Sequence, residues 1–504
     1  MSYSALQNGS DIRGIAMEND KGYAVNMTEK ASEDLARAFV RRLKAITGEE
    51  SPKVAVGRDS RLSGEALLKA AVRGIKAEGA EAIDFELAST PAMFMATVLE
   101  NYTGSIMITA SHLPWFRNGM KFFDRDGGLE KEDIKELVEA ADQIAANETM
   151  PEGIDDSAVK VDFMETYAAF LRKKIIDGAG NGDRPLEGRH IIVDAGNGAG
   201  GFYVTRVLEP LGANTEGSQF LEPDGHFPNH VPNPEDKEAA ESAQKATFDS
   251  GADLGIIFDT DVDRAGAILP SGKKLVRNEL IAIISSIVLR EHPGTTIVTD
   301  SITSDGLHEF ITSRGGQHIR FKRGYRNVID ESIRLNNAGI DSQLAIETSG
   351  HGALKENFFL DDGAYLMVKI LIEMGKGEDL DKMISDLDTP AESVEIRFPV
   401  KTELLEGKSL QENGDRVLDF FKEAADEIEG WFLEEENYEG VRFNTNVSHG
   451  GGWLLLRKSL HEPIMPLNIE SSFDGGSLLM AKQLLQVLSR EETLDVTPLE
   501  EFIR

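Results

Sequence analysis

The sequence predicts an α/β protein of several domains, and three observations carry that prediction. An apolar run that ends in a polar or glycine-rich loop and then passes into a helix-period segment recurs at least seven times along the 504 residues, the pattern of strands alternating with helices. At about 100 to 150 residues per domain, a chain of this length is expected to form three to five domains, each with ample core. Polar stretches at 178–188, 291–294 and 388–393 separate the runs and place four domains at 1–182, 183–292, 293–390 and 391–504.

The seven runs are residues 54–59 (VAVGRD), 105–109 leading into Ser111, 191–196 (IIVDAG), 255–259 (GIIFD), 296–300 (TIVTD), 344–347 (LAIE) and 453–457 (WLLLR). The early ones repeat one plan. The last domain opens on VEIRF at 394–398, carries an acidic helical stretch over 415–435 and alternates less often, so it reads as α+β.

Composition narrows the function classes. With 87 acidic residues against 53 basic, the formal charge of −34 argues against nucleic acid or an anionic membrane as a partner. An anionic substrate would need local positive loops. There is no cysteine, which excludes disulfides, thiolate-bound zinc and iron–sulfur clusters. The start, MSYSALQNGSDIRG, lacks the basic-then-apolar pattern of a signal peptide, and the apolar stretch at 280–289 is too short to span a bilayer. A soluble cytoplasmic protein is expected.

Residues 109–121, TASHLPWFRNGMK, are the most informative stretch. Ser111 and His112 should emerge where a short buried strand ends, which is where open α/β sheets place their chemistry. Pro114 closes the loop, and Asn118-Gly119 is a tight-turn signal that would carry Lys121 back toward the serine on a returning strand. A serine-hydrolase elbow needs Gly-x-Ser-x-Gly, and no glycine lies within two residues of Ser111. Taken alone, the segment could also be a polar loop that pairs Ser and His by chance.

Other strand ends supply complementary groups. FDTDVDR at 258–264 offers Asp259, Asp261 and Asp263 at alternate positions, so in an extended loop the three carboxylates can face one hard cation, magnesium being the natural choice. An EF-hand would need glycine and glutamate where Arg264 and Pro270 stand, and the bland alternative is a solvated acidic turn. GNGAGG at 196–201 fits G-x-G-x-x-G. It reads either as a dinucleotide loop or, without a suitable acidic residue at the tip of a second strand, as a tight strand-to-helix turn that serves packing.

Arg13, and Arg58 beside Asp59, place guanidiniums in candidate loops, suited to phosphate or to a structural ion pair. ETSGH at 347–351 combines an acceptor, a hydroxyl and an imidazole on a glycine-permitted turn, as a grip on sugar hydroxyls requires. RKSLHEP at 457–463 offers cations, a hydroxyl and loop amides as a phosphate cradle.

In this order and spacing, the segments resemble the α-D-phosphohexomutases, the phosphoglucomutase and phosphomannomutase superfamily. The likeness runs from Asp11 to about Glu470 and includes VGRDSRLSG at 56–64, VDAGNGAG at 193–200 and PDGHFPNHVPNPE at 223–235. The resemblance implies three similar α/β domains with mixed sheets and a C-terminal α+β domain around a central cleft, one loop coming from each.

It implies that Ser111 is a phosphoserine, with Mg²⁺ held by its phosphate and by Asp259, Asp261 and Asp263, and that Lys121, His112 and Arg13 serve as general acid/base and charge-stabilising groups. Arg264 would lie nearby. Glu347, Ser349 and His351 match the sugar-recognition loop; Gly324, Tyr325 and Arg326 match a ligand-contact segment; Arg457 and Ser459 match the loop for the non-reacting phosphate.

The implied activity is that of an intramolecular phosphotransferase, interconverting hexose 1-phosphate and 6-phosphate of glucose or mannose through a hexose 1,6-bisphosphate. The implied partners are phosphorylated hexoses, and the implied state is a monomer or homodimer. A hexose 1,6-bisphosphate synthase on the same scaffold is an alternative, and a non-catalytic sugar-phosphate sensor a third reading. Two positions depart from the family pattern: Leu113 stands where asparagine is usual, and Leu460-His461 where Asn-Thr or Gly-Thr is usual.

Overall fold

The computed structural model describes residues 2–459 and 462–504; the departure at Leu460-His461 lies outside the described residues. All seven apolar runs form strands. The chain makes two compact units, one of residues up to Ile284 together with Ser349–Ile384, the other of Ser285–Thr348 with Ser385–Arg504. It passes between them within the helix Arg277–Glu291 and at two loop positions. That residues 349–384 belong with the first unit is decided by tertiary packing that no local pattern announces.

The first unit contains two mixed sheets. In the larger, Lys53–Arg58 lies parallel to both Gly104–Ile108 and Glu81–Leu87, while Arg117–Asp124 runs antiparallel to Gly104–Ile108 and to Asp11–Ile15. Residues such as Val54, Val56, Ile106 and Ile108 are wholly buried under the helices Glu29–Thr47 and Gly64–Ala77. The first of these helices starts where Thr28 Oγ1 accepts the Ala31 N–H and stops at Gly48, whose φ of 72° suits a left-handed cap. In the smaller sheet, Leu254–Phe258 pairs parallel with Ile191–Asp194 and antiparallel with Ala265–Ile268. The hairpin of Gly352–Leu354 and Leu360–Asp361 also belongs to this unit.

In the second unit Thr296–Asp300 is flanked in parallel by Gln317–Phe321 and Ser342–Ile346. Its other sheet is antiparallel throughout, in the order Glu392–Pro399, Ile464–Ser471, Gly452–Leu456, Val441–Thr445, Trp431–Leu433. The helices Leu410–Asp426 and Gly476–Leu488 bury Phe421, Leu484 and Leu488 in the core that this sheet shares. This is the expected α+β domain. Its acidic helix ends at Asp426, short of the expected 435, because Trp431–Leu433 enters the sheet as an edge strand. No helix among the described residues is long and apolar enough to cross a membrane.

Candidate active site

Gly104–Ile108, buried along its whole length, delivers the chain into the loop that holds Ser111. Ser111 has φ 51°, a left-handed conformation that a residue with a Cβ adopts only when its surroundings impose it. Its N–H donates to Thr109 Oγ1 at 2.9 Å. The Ser111 hydroxyl donates to Asp259 Oδ2 at 3.1 Å and sits 3.3 Å from His112 Nδ1, while Arg264 Nη2 approaches at 3.5 Å. Burial, aided by the guanidiniums of Arg264 and Arg13, holds the His112 imidazole down to about 2, so the ring is neutral.

Asn118-Gly119 does not form the expected turn. Both residues lie inside the strand Arg117–Asp124, and the reversal comes earlier, at 111–116. Glycine is required at 119 for close approach, since a Cβ there would lie 2.0 Å from the Ile12 carbonyl oxygen. The strand nevertheless returns as expected, with Lys121 opposite Met107. Lys121 Nζ donates to Asp263 Oδ2 at 2.6 Å and lies 4.0 Å from Asp261 Oδ2.

Asp259, Asp261 and Asp263 converge, each offering an oxygen within 4.8 Å of the others, and all three are fully buried. Burial, then Asp263 and Asp261, pushes the Asp259 carboxyl well above its ordinary range, and burial with Asp263 raises Asp261. Asp263 is as deeply buried, yet Lys121, His351 and Arg264 outweigh that and hold its carboxyl low. Asp261 Oδ1 and Asp263 Oδ1 are buried without a hydrogen-bond partner among the described residues. Unpartnered buried carboxylate oxygens are costly unless something positive meets them, so the donor set fits a hard cation with oxygen ligands.

The loop is held from two sides. The Thr90 hydroxyl donates to Asp261 Oδ2 at 2.5 Å and its N–H to the Asp261 carbonyl at 2.8 Å. On the other side the glycine-rich turn at 196–201 presses against it: a Cβ on Gly198 would lie 2.6 Å from Thr260 O and 2.8 Å from Thr260 Cα. Those glycines therefore serve packing behind the acidic loop.

His351 belongs to the same unit. It pairs in a short bridge with Arg264, and its Nδ1 hydrogen-bonds Asp361 Oδ2. Burial alone would lower this imidazole, but Asp361 and Asp263 outweigh it and raise it toward the charged form. Ser349 opens the segment that brings His351 there. Arg13 donates to Asp11 Oδ2 at 2.8 Å.

The second unit holds the remaining expected residues. Glu347 Oε1 accepts the Gly324 N–H at 2.6 Å, which joins the end of the strand Ser342–Ile346 to the start of the helix Tyr325–Asn337. Arg326 pairs with Asp330 at 3.2 Å within that helix. Asp300 accepts from the Thr348 hydroxyl and N–H at 2.6 and 3.2 Å and faces Arg323 at 3.5 Å. Arg457 follows the strand Gly452–Leu456, buried, 3.6 Å from Glu395; burial and the nearby Arg323 lower its guanidinium. Ser459 Oγ accepts the Glu462 N–H at 3.2 Å.

Family models match in succession. Domains I, II and III of phosphoglucomutase/phosphomannomutase, each described as alpha/beta/alpha, align with residues 5–148, 165–272 and 277–389. The chain belongs to the phosphoglucomutase/phosphomannomutase family. It is 31% identical over 472 residues to the phosphomannomutase/phosphoglucomutase of Pseudomonas syringae pv. tomato, covering 92% of this chain and 90% of the other. It is also 31% identical over 469 residues to the phosphoglucomutase/phosphomannomutase of Thermococcus kodakarensis, covering 91% and 93%. The crystal structure of a phosphoglucomutase/phosphomannomutase family protein from Burkholderia thailandensis superposes with a TM-score of 0.77 at 24% identity, over 97% of this chain and 98% of that one, and so shares its fold.

In this family member Ser111, His112, Lys121, the three aspartates, Arg264 and His351 come together in the first unit, while Glu347, Gly324, Arg457 and Ser459 lie in the second. Sequence reasoning missed several supporting residues. Asp59 pairs with Arg61 rather than Arg58, which instead donates to the Asp59 carbonyl at 3.0 Å. Thr90, Thr109, Asp361 and Arg323 were likewise given no role, each being a common residue type whose partner, Asp261, Asp59, His351 and Asp300 respectively, no short motif links to it. Only VGRDSRLSG, already legible as a motif, pointed toward Arg61.

Proposed function

We propose that the chain is a phosphohexomutase that interconverts the 1- and 6-phosphates of glucose or mannose through a phosphoserine at Ser111. The observation that carries the reading is the Ser111 hydroxyl 3.1 Å from Asp259 in a buried triad of aspartates, with Lys121 on Asp263. Phosphoryl transfer depends on charge neutralisation and positioning more than on covalent chemistry, and this arrangement supplies both.

In the forward step the bond between Ser111 Oγ and phosphorus breaks, a bond between a sugar oxygen and the same phosphorus forms, and the proton that the sugar hydroxyl gives up is matched by one taken up at the freed Ser111 Oγ. The second step returns the other phosphate of the resulting hexose 1,6-bisphosphate to Ser111. Lys121, His112 and Arg13 are the groups assigned to proton exchange and charge stabilisation. His112, neutral at 3.3 Å, offers Ser111 Oγ a partner that adds no charge, and Arg264 brings a fixed cation. Asp259, Asp261 and Asp263 would hold Mg²⁺, which when bound neutralises charge on the phosphoryl oxygens.

Glu347, Ser349 and His351 are assigned to the sugar hydroxyls, Gly324, Tyr325 and Arg326 to further ligand contact, and Arg457 with Ser459 to the phosphate that does not react. The relatives' names cover both glucose and mannose phosphates, which supports dual use. The domain limits proposed for this assignment remain 1–182, 183–292, 293–390 and 391–504. The test is interconversion of hexose 1- and 6-phosphates by the purified chain with Mg²⁺ and a trace of glucose 1,6-bisphosphate, beside Ser111→Ala. Activity that depends on Ser111 is expected; none in the native chain would overturn the reading.

A further inference from the structure

Arg61 is one of the largest fully buried side chains, and the structure gives every one of its guanidinium N–H groups an acceptor. Nε donates to Asp59 Oδ2 at 3.2 Å; Nη1 donates to the carbonyls of Pro114 at 2.9 Å and Arg117 at 3.1 Å; Nη2 donates to the Leu113 carbonyl at 2.6 Å and to the Ser111 carbonyl. Four of the five acceptors are backbone oxygens of one stretch, 111–117, the reversal and the first residue of the returning strand, so a single side chain ties this turn together through its carbonyls. Asp59 fixes the arginine in turn, accepting its N–H at 2.9 Å. The same carboxylate accepts the Thr109 hydroxyl at 2.7 Å, and Thr109 Oγ1 accepts the Ser111 N–H at 2.9 Å.

One buried ion pair thus grips both sides of the Ser111 peptide: its carbonyl directly through Arg61, its N–H through Thr109. This explains how a serine keeps a φ of 51°, since a left-handed residue needs its surroundings to determine its backbone. Packing completes the arrangement. The Arg61 guanidinium lies 5.2 Å from the Phe227 ring centre, and Gly225 approaches so closely that a Cβ would lie 2.5 Å from Leu62 N and 2.6 Å from Ser60 O.

We infer that Asp59, Arg61 and Thr109 are positioning residues that hold the Ser111 peptide, and with it the hydroxyl, in the orientation that faces the aspartate triad. A planar five-donor fork suits this task and an ammonium does not. The catalytic consequence rests on the mutase reading; the structural one does not.

The test pairs Thr109→Val with Thr109→Ser in the full chain, with Arg61→Lys as a third variant. Thr109→Val removes the link to the Ser111 N–H at nearly constant volume. Amide hydrogen exchange in peptides spanning 109–119 is expected to quicken about tenfold or more in Thr109→Val, with the rest of the first unit little changed. Single-turnover transfer from phosphorylated Ser111 to a hexose monophosphate should slow about 10- to 100-fold, with KM changed less than about threefold.

Thr109→Ser, which keeps the hydroxyl, should restore both readouts, and Arg61→Lys should slow transfer at least as much as Thr109→Val. Unchanged exchange at 109–119 in Thr109→Val would overturn the inference, as would a serine variant that fails to recover. If Arg61→Lys does not fold, the Thr109 pair decides. If the native chain transfers no phosphate, the mutase reading falls while the exchange comparison still decides whether the grip on Ser111 exists.

Discussion

Lys121 Nζ donates to Asp263 Oδ2 at 2.6 Å, binding the strand that returns from the Ser111 loop to the acidic loop of the second sheet. The lysine side chain is 7% exposed and the carboxylate 0%. The pair is therefore both a charge balance and a joint between two sheets. Removing one partner of such a pair leaves the other charge buried and uncompensated, which typically costs about 3–5 kcal/mol.

Lys121→Met, which keeps the length and loses the charge, should lower turnover about 100-fold or more with a smaller change in KM. It should also destabilise the chain in EDTA by a few kcal/mol, and by clearly less at saturating Mg²⁺, because a cation at the triad would take over the neutralisation of Asp263. Steady-state kinetics and melting curves with and without Mg²⁺ check both halves. Equal destabilisation under the two conditions would separate the lysine from the cation site.

Two oxygens of the triad, Asp261 Oδ1 and Asp263 Oδ1, are buried with no partner among the described residues. Adding Mg²⁺ should accordingly stabilise the native chain, by about 2.7 kcal/mol when the ion is present at 100 times its dissociation constant. Asp261→Asn keeps an acceptor for the Thr90 hydroxyl, so the fold should survive. It removes one charge from the set, and calorimetric titration should find Mg²⁺ bound at least about tenfold more weakly. A melting temperature of the native chain that ignores Mg²⁺ would exclude a cation site at the triad.

Gly198 sits against Thr260, between the first and second aspartates. In Gly198→Ala the new methyl would meet backbone atoms, which cannot swing aside as a side-chain end can, so the acidic loop itself must move. Overpacking of this kind costs about 1–3 kcal/mol, and the displacement should weaken Mg²⁺ binding together with turnover. Melting curves and metal titration of the variant measure the two effects. Full metal affinity in a destabilised variant would mean that the turn supports the fold without shaping the site.

These contrasts show what the sequence made legible. Strands such as Leu254–Phe258 were visible because an unbroken apolar run must be buried on both faces, and Asp259 followed because chemistry gathers where such runs end. Asn118-Gly119 misled because the same dipeptide signals a turn or permits close approach, and only the position of the Ile12 carbonyl decides between them. Arg58 and Arg61 flank Asp59 almost symmetrically in sequence; the local turn aims Arg61 inward and leaves Arg58 on the backbone. The return of residues 349–384 to the first unit depends on contacts such as Gly363 against Arg264, which have no local signature.

Glu470 offers a stability test away from the candidate site. It lies in the strand Ile464–Ser471, 5% exposed, and accepts the Trp453 Nε1–H at 2.6 Å, while the Arg442 guanidinium lies 3.9 Å from the Trp453 ring centre. Burial pushes its carboxyl up to about 7, against the lowering influence of Trp453 and Arg442, from an ordinary 4.5. The folded state therefore binds the proton more tightly than the unfolded chain. Its contribution to stability is fully present below the unfolded value, falls as pH rises, and is fully lost above the folded value.

Glu470→Gln keeps an acceptor for Trp453 and abolishes the titration. It should exceed the native chain in stability by about 2–3 kcal/mol at pH 8, an advantage that shrinks to a few tenths of a kcal/mol near the unfolded carboxyl's own range. Denaturant unfolding of both chains across pH 4.5 to 8 measures the difference. A gap that stays constant with pH would show that Glu470 titrates as an ordinary carboxylate despite its burial.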